Sequence, residues 1–85
     1  MSITPRNIIK HELIGLDVEI VKAKNPTLIG IKGKIIDETK STLLIETSNK
    51  IKKILKDQVT LNINIKDYIV QVQGKVLLGR PEDRI

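Results

Sequence analysis

The chain reads as mainly β: a small, strongly bent antiparallel barrel of six or seven strands behind a short N-terminal helix. Three observations carry this reading. Val59-Thr60-Leu61-Asn62-Ile63-Asn64-Ile65 alternates apolar and polar residues without a break, the signature of a half-buried strand. Similar runs recur between turn residues at a spacing of about 8–12 residues, the rhythm of small β-barrels and sandwiches. Gly33 falls on the apolar face of the run from Ile29 to Ile35. A missing side chain there lets a strand bend or another backbone come close, and a small closed barrel needs such a bend.

The elements follow in order. Thr4 can cap free N–H groups and Pro5 suits a first helical position. Ile8, Ile9 and Leu13 follow at partly helical spacing and Gly15 is a stop, so a helix is predicted over about residues 4–13. Val18 and Ile20 begin the first strand, which Lys24-Asn25-Pro26 ends in a turn. Ile29, Ile31 and Ile35 lie on one face of the second strand, with Lys32 and Lys34 on the other. Leu43 to Thr47 is a third strand. Between Lys50 and Gln58, Ile51, Ile54, Leu55 and Val59 also fit a helical stripe capped by Ser48 or Asn49, so period alone permits strand or helix. After Val59–Ile65, Tyr68, Val70 and Val72 alternate with Ile69, Gln71 and Gln73. Gly74-Lys75 fits a tight hairpin, with a last strand from Val76 to Leu78. The expected division is one domain over 1–85: helix about 4–13, barrel about 17–78, tail 79–85.

Composition narrows the function. Eighty-five residues make one domain with a thin core and little room for a deep substrate cavity. There is no cysteine and His11 is the single histidine, which removes disulfides, thiolate zinc sites and any histidine cluster within one chain. No apolar run approaches the roughly 20 residues of a membrane helix, and residues 1–10 lack a signal peptide's apolar stretch. The expected setting is therefore soluble and cytoplasmic, with no membrane partner. The net charge of +5 draws the surface to polyanions, chiefly nucleic acid.

The lysines are the main candidates for that contact. Lys50, Lys52, Lys53 and Lys56 form a run with no acid until Asp57. Lys32 and Lys34 share the outer face of the bent strand, Lys22 and Lys24 lie by the preceding turn, and Arg6 and Lys10 lie on the helix. Lysines on edge strands also guard against aggregation, which is the competing use. Arg80 and Arg84 carry guanidinium forks that suit phosphate or a partner's carboxylate. Tyr68 is the one aromatic residue and is expected in the core or at the barrel rim. Binders of unpaired strands stack bases on rings, so this chain should prefer structured RNA read through backbone and shape. Asp37-Glu38 and Glu82-Asp83 are adjacent carboxylates, but neighbours on a strand point to opposite faces. Asp37-Glu38 is read as turn chemistry. No nucleophile–base pair and no metal cluster stands out, so no catalytic residue is assigned. Ile8, Ile9 and Leu13 give the helix more apolar surface than capping needs, which makes them a candidate partner interface.

Two stretches, Ile36-Asp37-Glu38-Thr39-Lys40-Ser41-Thr42-Leu43 and Leu78-Gly79-Arg80-Pro81-Glu82-Asp83-Arg84-Ile85, stand in a basic chain that opens with Leu13-Ile14-Gly15-Leu16. Together they resemble the archaeal ribonuclease P protein component 1 family, over nearly the whole chain. The resemblance implies an Sm-like barrel, a bulged strand over Lys50–Gln58 and an ordered tail. It also implies a non-catalytic subunit of ribonuclease P, which would bind and stabilise the catalytic RNA that removes the 5′ leader of precursor tRNA. The implied partners are that RNA, a zinc-ribbon protein subunit, the other ribonuclease P proteins and, indirectly, precursor tRNA. The chain would hold no cofactor, and Mg²⁺ would belong to the catalytic RNA. The rival readings are a ring-forming Sm-type protein on uridine-rich RNA, a chromatin-type barrel on duplex DNA, and a protein adaptor whose lysines are only surface.

Overall fold

A computed structural model of the chain describes residues 13–65 and 67–79. Six strands follow one another: β1 (Asp17–Ala23), β2 (Lys32–Glu38), β3 (Thr42–Thr47), β4 (Lys50–Leu55), β5 (Val59–Ile65) and β6 (Tyr68–Gln73). They form one antiparallel sheet in the order β4-β3-β2-β1-β5-β6. Short 3₁₀ turns cover Pro26–Leu28, Lys56–Gln58 and Gly74–Leu77. No helix among the described residues is long and apolar enough to cross a membrane. The helix expected over 4–13 lies, apart from Leu13, outside the described residues.

The core is built from one face of the sheet. Val18, Ile20, Ile35, Leu43, Ile45, Ile54, Leu61, Ile63 and Val72 are all buried in a single cluster, with Leu13 and Leu77 added from the segments flanking the sheet. Ile54 comes from β4 and Val72 from β6, the two outermost strands, so the sheet is curled enough for its ends to share one interior. Gly33 sits in that curl. A Cβ there would overlap the carbonyl oxygen of Glu46 and lie 2.8 Å from Cγ2 of Ile45. The expectation that another backbone passes close to Gly33 is met.

Two bulges change which way side chains face. In β2 the register slips between Ile35 and Asp37. An extra residue reverses the in–out alternation beyond it, so Asp37 faces out beside Leu44 and Glu38 faces in beside Leu43. In β1 the register slips between Ile20 and Lys22. Lys22 is thereby turned outward beside Thr60, and Ala23 packs on the core beside Val59.

Three expectations need correction. The second strand begins at Lys32, because Ile29 and Gly30 close the turn after Leu28 through backbone bonds to Pro26 and Ile20 (3.1 and 2.8 Å). Ile29 is therefore exposed. The stretch Lys50–Gln58 is a strand to Leu55 and a 3₁₀ turn after it, and its pairing with β3 runs without a register slip. Finally, Gly74-Lys75 makes no hairpin and Val76–Leu78 no strand. Gly74 opens a 3₁₀ turn instead, because its backbone rests directly on the carbonyl of Lys56, where a Cβ would overlap it. That turn carries Leu77 into the core.

Candidate nucleic-acid interface

Among the described residues β4 is an edge strand, reached from β3 through Ser48 and Asn49. Both have positive φ (42° and 71°), as a two-residue hairpin with type I′ twist requires. Paired on one side by β3, β4 buries Ile54 and leaves the rest of its residues exposed. Lys50, Lys52 and Lys53 thus stand along an open sheet edge. Lys52 shares the face of Ile45, and Lys53 that of Leu44. The three ammonium groups therefore fan around the edge from both faces.

Lys32 and Lys34 occupy a different electrostatic setting. Lys34 stands between Asp17 on β1 and Glu46 on β3, and Lys32 beside Glu19 on β1. Cross-strand partners share a face, so two lysines here are interleaved with three carboxylates. This outer face is close to charge-balanced rather than basic.

Lys56 is the clear departure from the sequence reading. The sequence groups it with the exposed run, yet it is 0 % exposed. Its Nζ forms a salt bridge to Oε2 of Glu38 (2.7 Å) and donates to the carbonyl oxygens of Thr39 (2.8 Å), Gly79 (3.0 Å) and Lys40 (3.4 Å). The backbone N–H groups of Gly79 and Lys56 donate in turn to Lys40 O and Ser41 O (2.6 and 2.9 Å). Glu38 also accepts from the N–H of Leu13 through Oε1 (3.4 Å). One buried ion pair therefore ties together the β2–β3 turn, the end of β4, the segment before β1 and the start of the C-terminal tail. The sequence does carry a signal for this: counting by two from Ile54 places position 56 on the inner face. The run of lysines masks it.

The other candidates are quickly placed. Asp37 Oδ1 accepts from the N–H of Glu38 (2.8 Å), so these carboxylates serve the turn and the ion pair, in line with their reading as turn chemistry. Leu13 is buried in the core, which removes it from a partner interface. Tyr68 is 56 % exposed at the start of β6, so it is not a core residue. Among the described residues no three His, Cys, Asp or Glu side chains cluster as a metal site would require. Arg6, Lys10, Arg80, Arg84, Ile8 and Ile9 lie outside the described residues.

A family model described as ribonuclease P/MRP, subunit p29, matches residues 6–85. The chain belongs to this family. Among curated relatives, ribonuclease P protein component 1 of Methanocaldococcus jannaschii is 51 % identical over 84 residues, covering 98 % of this chain and 88 % of the relative. The protein of the same name from Thermofilum pendens is 49 % identical, covering 100 % of this chain and 93 % of its own length. Of solved structures, that of Mth11, a homologue of human RNase P protein Rpp29, superimposes with a TM-score of 0.62 at 35 % identity, over 88 % of this chain and 99 % of the other. The p29 family is thus matched in sequence along almost the entire chain and in fold over most of it.

Proposed function

We propose that this chain is a non-catalytic protein subunit of ribonuclease P and holds the catalytic RNA by its sugar-phosphate backbone. The observation that carries the reading is the match of residues 6–85 to the p29 subunit family, joined to an open sheet edge bearing Lys50, Lys52 and Lys53. Cleavage of the 5′ leader of precursor tRNA, and the Mg²⁺ it uses, belong in this reading to the RNA. A lysine-lined edge without base-stacking rings supports recognition of folded RNA by charge and shape. Lys32 and Lys34 contribute less, because their carboxylate neighbours offset them. The arginines of the tail and helix, Arg6, Arg80 and Arg84, with Lys10, extend the contact in this reading.

Several finer expectations belong to the same proposal. The shared interior of β4 and β6, and the close approach of the turns at Lys56 and Gly74, support an Sm-like curl of the sheet. A zinc-ribbon subunit is the proposed protein partner, with Ile8 and Ile9 at the contact and the cytoplasm as the setting. The test is precursor-tRNA cleavage reconstituted from catalytic RNA and the archaeal protein subunits at limiting Mg²⁺. Omitting this chain should lower the rate, and Lys50→Ala, Lys52→Ala and Lys53→Ala together should reproduce part of the loss. An unchanged rate on omission would overturn the reading.

A further inference from the structure

A second basic feature lies just past the end of β4, at the β1–β5–β6 end of the sheet. It is a groove of about 500 Å³. Its floor includes one continuous cross-strand row, Lys22 on β1, Thr60 on β5 and Gln73 on β6. Lys24 and Gln58 also line it, joined by a backbone bond from Lys24 N–H to Gln58 O (2.9 Å). Lys75, two residues after Gln73, lines it too, with Ala23, Val59 and Asp57. All three lysines are exposed.

The placement of Lys22 is not what a regular strand would give. Val18 and Ile20 point into the core, so an unbroken alternation would send position 22 inward. The bulge at Val21 turns it outward into the groove. A register slip thus converts what would be a buried position into a solvent-facing cation.

The charge balance separates this groove from the rest of the outer face. Around Lys32 and Lys34, three carboxylates stand against two lysines. Here three lysines face one carboxylate, Asp57, which already accepts a hydrogen bond from Nε2 of Gln58 (3.2 Å). The carboxamides of Gln58 and Gln73 and the hydroxyl of Thr60 add neutral polar groups that can bond phosphate or sugar oxygens. Among the described residues no aromatic ring lines the groove, so it offers no platform for unstacked bases.

We propose that this groove is a second contact for the phosphate backbone of structured RNA, separate from the β4 edge. The proposal rests on the RNA-subunit reading above and adds a site to it. Asp57 follows Lys53 by four residues, which bounds their separation at about 14 Å. The two lysine sets are therefore close enough for one folded RNA to engage both.

The test compares binding of the full chain to ribonuclease P RNA as a function of salt. The variants are Lys22→Gln/Lys24→Gln/Lys75→Gln in the groove and Lys50→Gln/Lys52→Gln/Lys53→Gln on the edge, with circular dichroism as the folding check. Each lost phosphate contact should flatten the slope of log K against log salt by somewhat less than 1. The groove variant is expected to lose roughly 10- to 100-fold in affinity at 0.15 M salt and about 2–3 in slope. Asp57→Asn, which removes the opposing charge without removing bulk, should tighten binding instead. If the edge variant weakens while the groove variant and Asp57→Asn match the wild type, the groove proposal fails and the subunit reading stands; an acidic protein segment would then be its better occupant. If neither triple variant alters binding, the RNA-contact reading itself fails, and the groove with it.

Discussion

Replacing Lys56 with Met should remove much of the protein's stability margin, although the substitution keeps most of the side chain's volume. The ammonium is fully buried and held by the Glu38 carboxylate at 2.7 Å and by the carbonyls of Thr39 and Gly79 at 2.8 and 3.0 Å. The Glu38 side chain is itself only 2 % exposed. Removing the cation leaves that carboxylate in the interior without it, a change worth about 3–5 kcal/mol where buried pairs have been broken. A chain of this size has about 4–13 kcal/mol in total. The expected loss is therefore about a quarter or more of the margin, or about 12–40 °C in melting temperature. Urea unfolding followed by circular dichroism would show the midpoint falling with the slope unchanged. Adding Glu38→Leu should recover at least half of the loss, because an apolar pair of similar volume need not be desolvated. The recovery should be incomplete, since the N–H of Leu13 then loses its acceptor. A loss below about 1 kcal/mol for Lys56→Met, or a double variant no more stable than the single one, would refute the reasoning about the buried pair.

The exposed lysines should behave in the opposite way. Lys53→Ala is expected to change stability by less than about 0.5 kcal/mol while weakening RNA binding and its salt dependence, read by titration at two salt concentrations. Lys32→Ala with Lys34→Ala should weaken RNA binding less than Lys52→Ala with Lys53→Ala, because Asp17, Glu19 and Glu46 already offset the first pair; equal losses would contradict that charge argument. Gly33→Ala places a Cβ against the Glu46 carbonyl and should cost about 1–3 kcal/mol through a forced shift of β3, seen in the same urea assay. Ser48-Asn49 replaced by Asn-Gly should stabilise by a few tenths of a kcal/mol to about 1 kcal/mol, since both positions have positive φ and that pair suits the turn.

Much of the candidate interface is legible in the sequence. The alternation in Val59–Ile65 matches β5 residue for residue, because a half-buried strand writes its faces directly into the chain. Gly33 is legible for the same reason: a glycine on an apolar face needs a neighbour that fills the gap. Lys50, Lys52 and Lys53 are readable as exposed because an unpaired ammonium rarely enters a core; Lys56 escapes that rule only because Glu38 pairs with it. The end of β6 is not legible in this way. Gly74-Lys75 carries good hairpin chemistry, and only the carbonyl of Lys56 lying against Gly74 explains why a 3₁₀ turn wins.

The sequence by itself determined the β class, the strand Val59–Ile65, the basic charge and the scarcity of aromatic rings. These are properties of composition and period-two alternation, which local residues settle. Tertiary structure decided what each charge is for. Two bulges, at Ile36 and Val21, reverse the alternation beyond them, turning Glu38 inward to meet Lys56 and Lys22 outward into a groove. Strand pairing set Lys32 and Lys34 among three carboxylates, Asp17, Glu19 and Glu46, all more than ten residues off in sequence. A lysine's role depends on which groups share its face and how much water reaches it, and both are set by register and curvature.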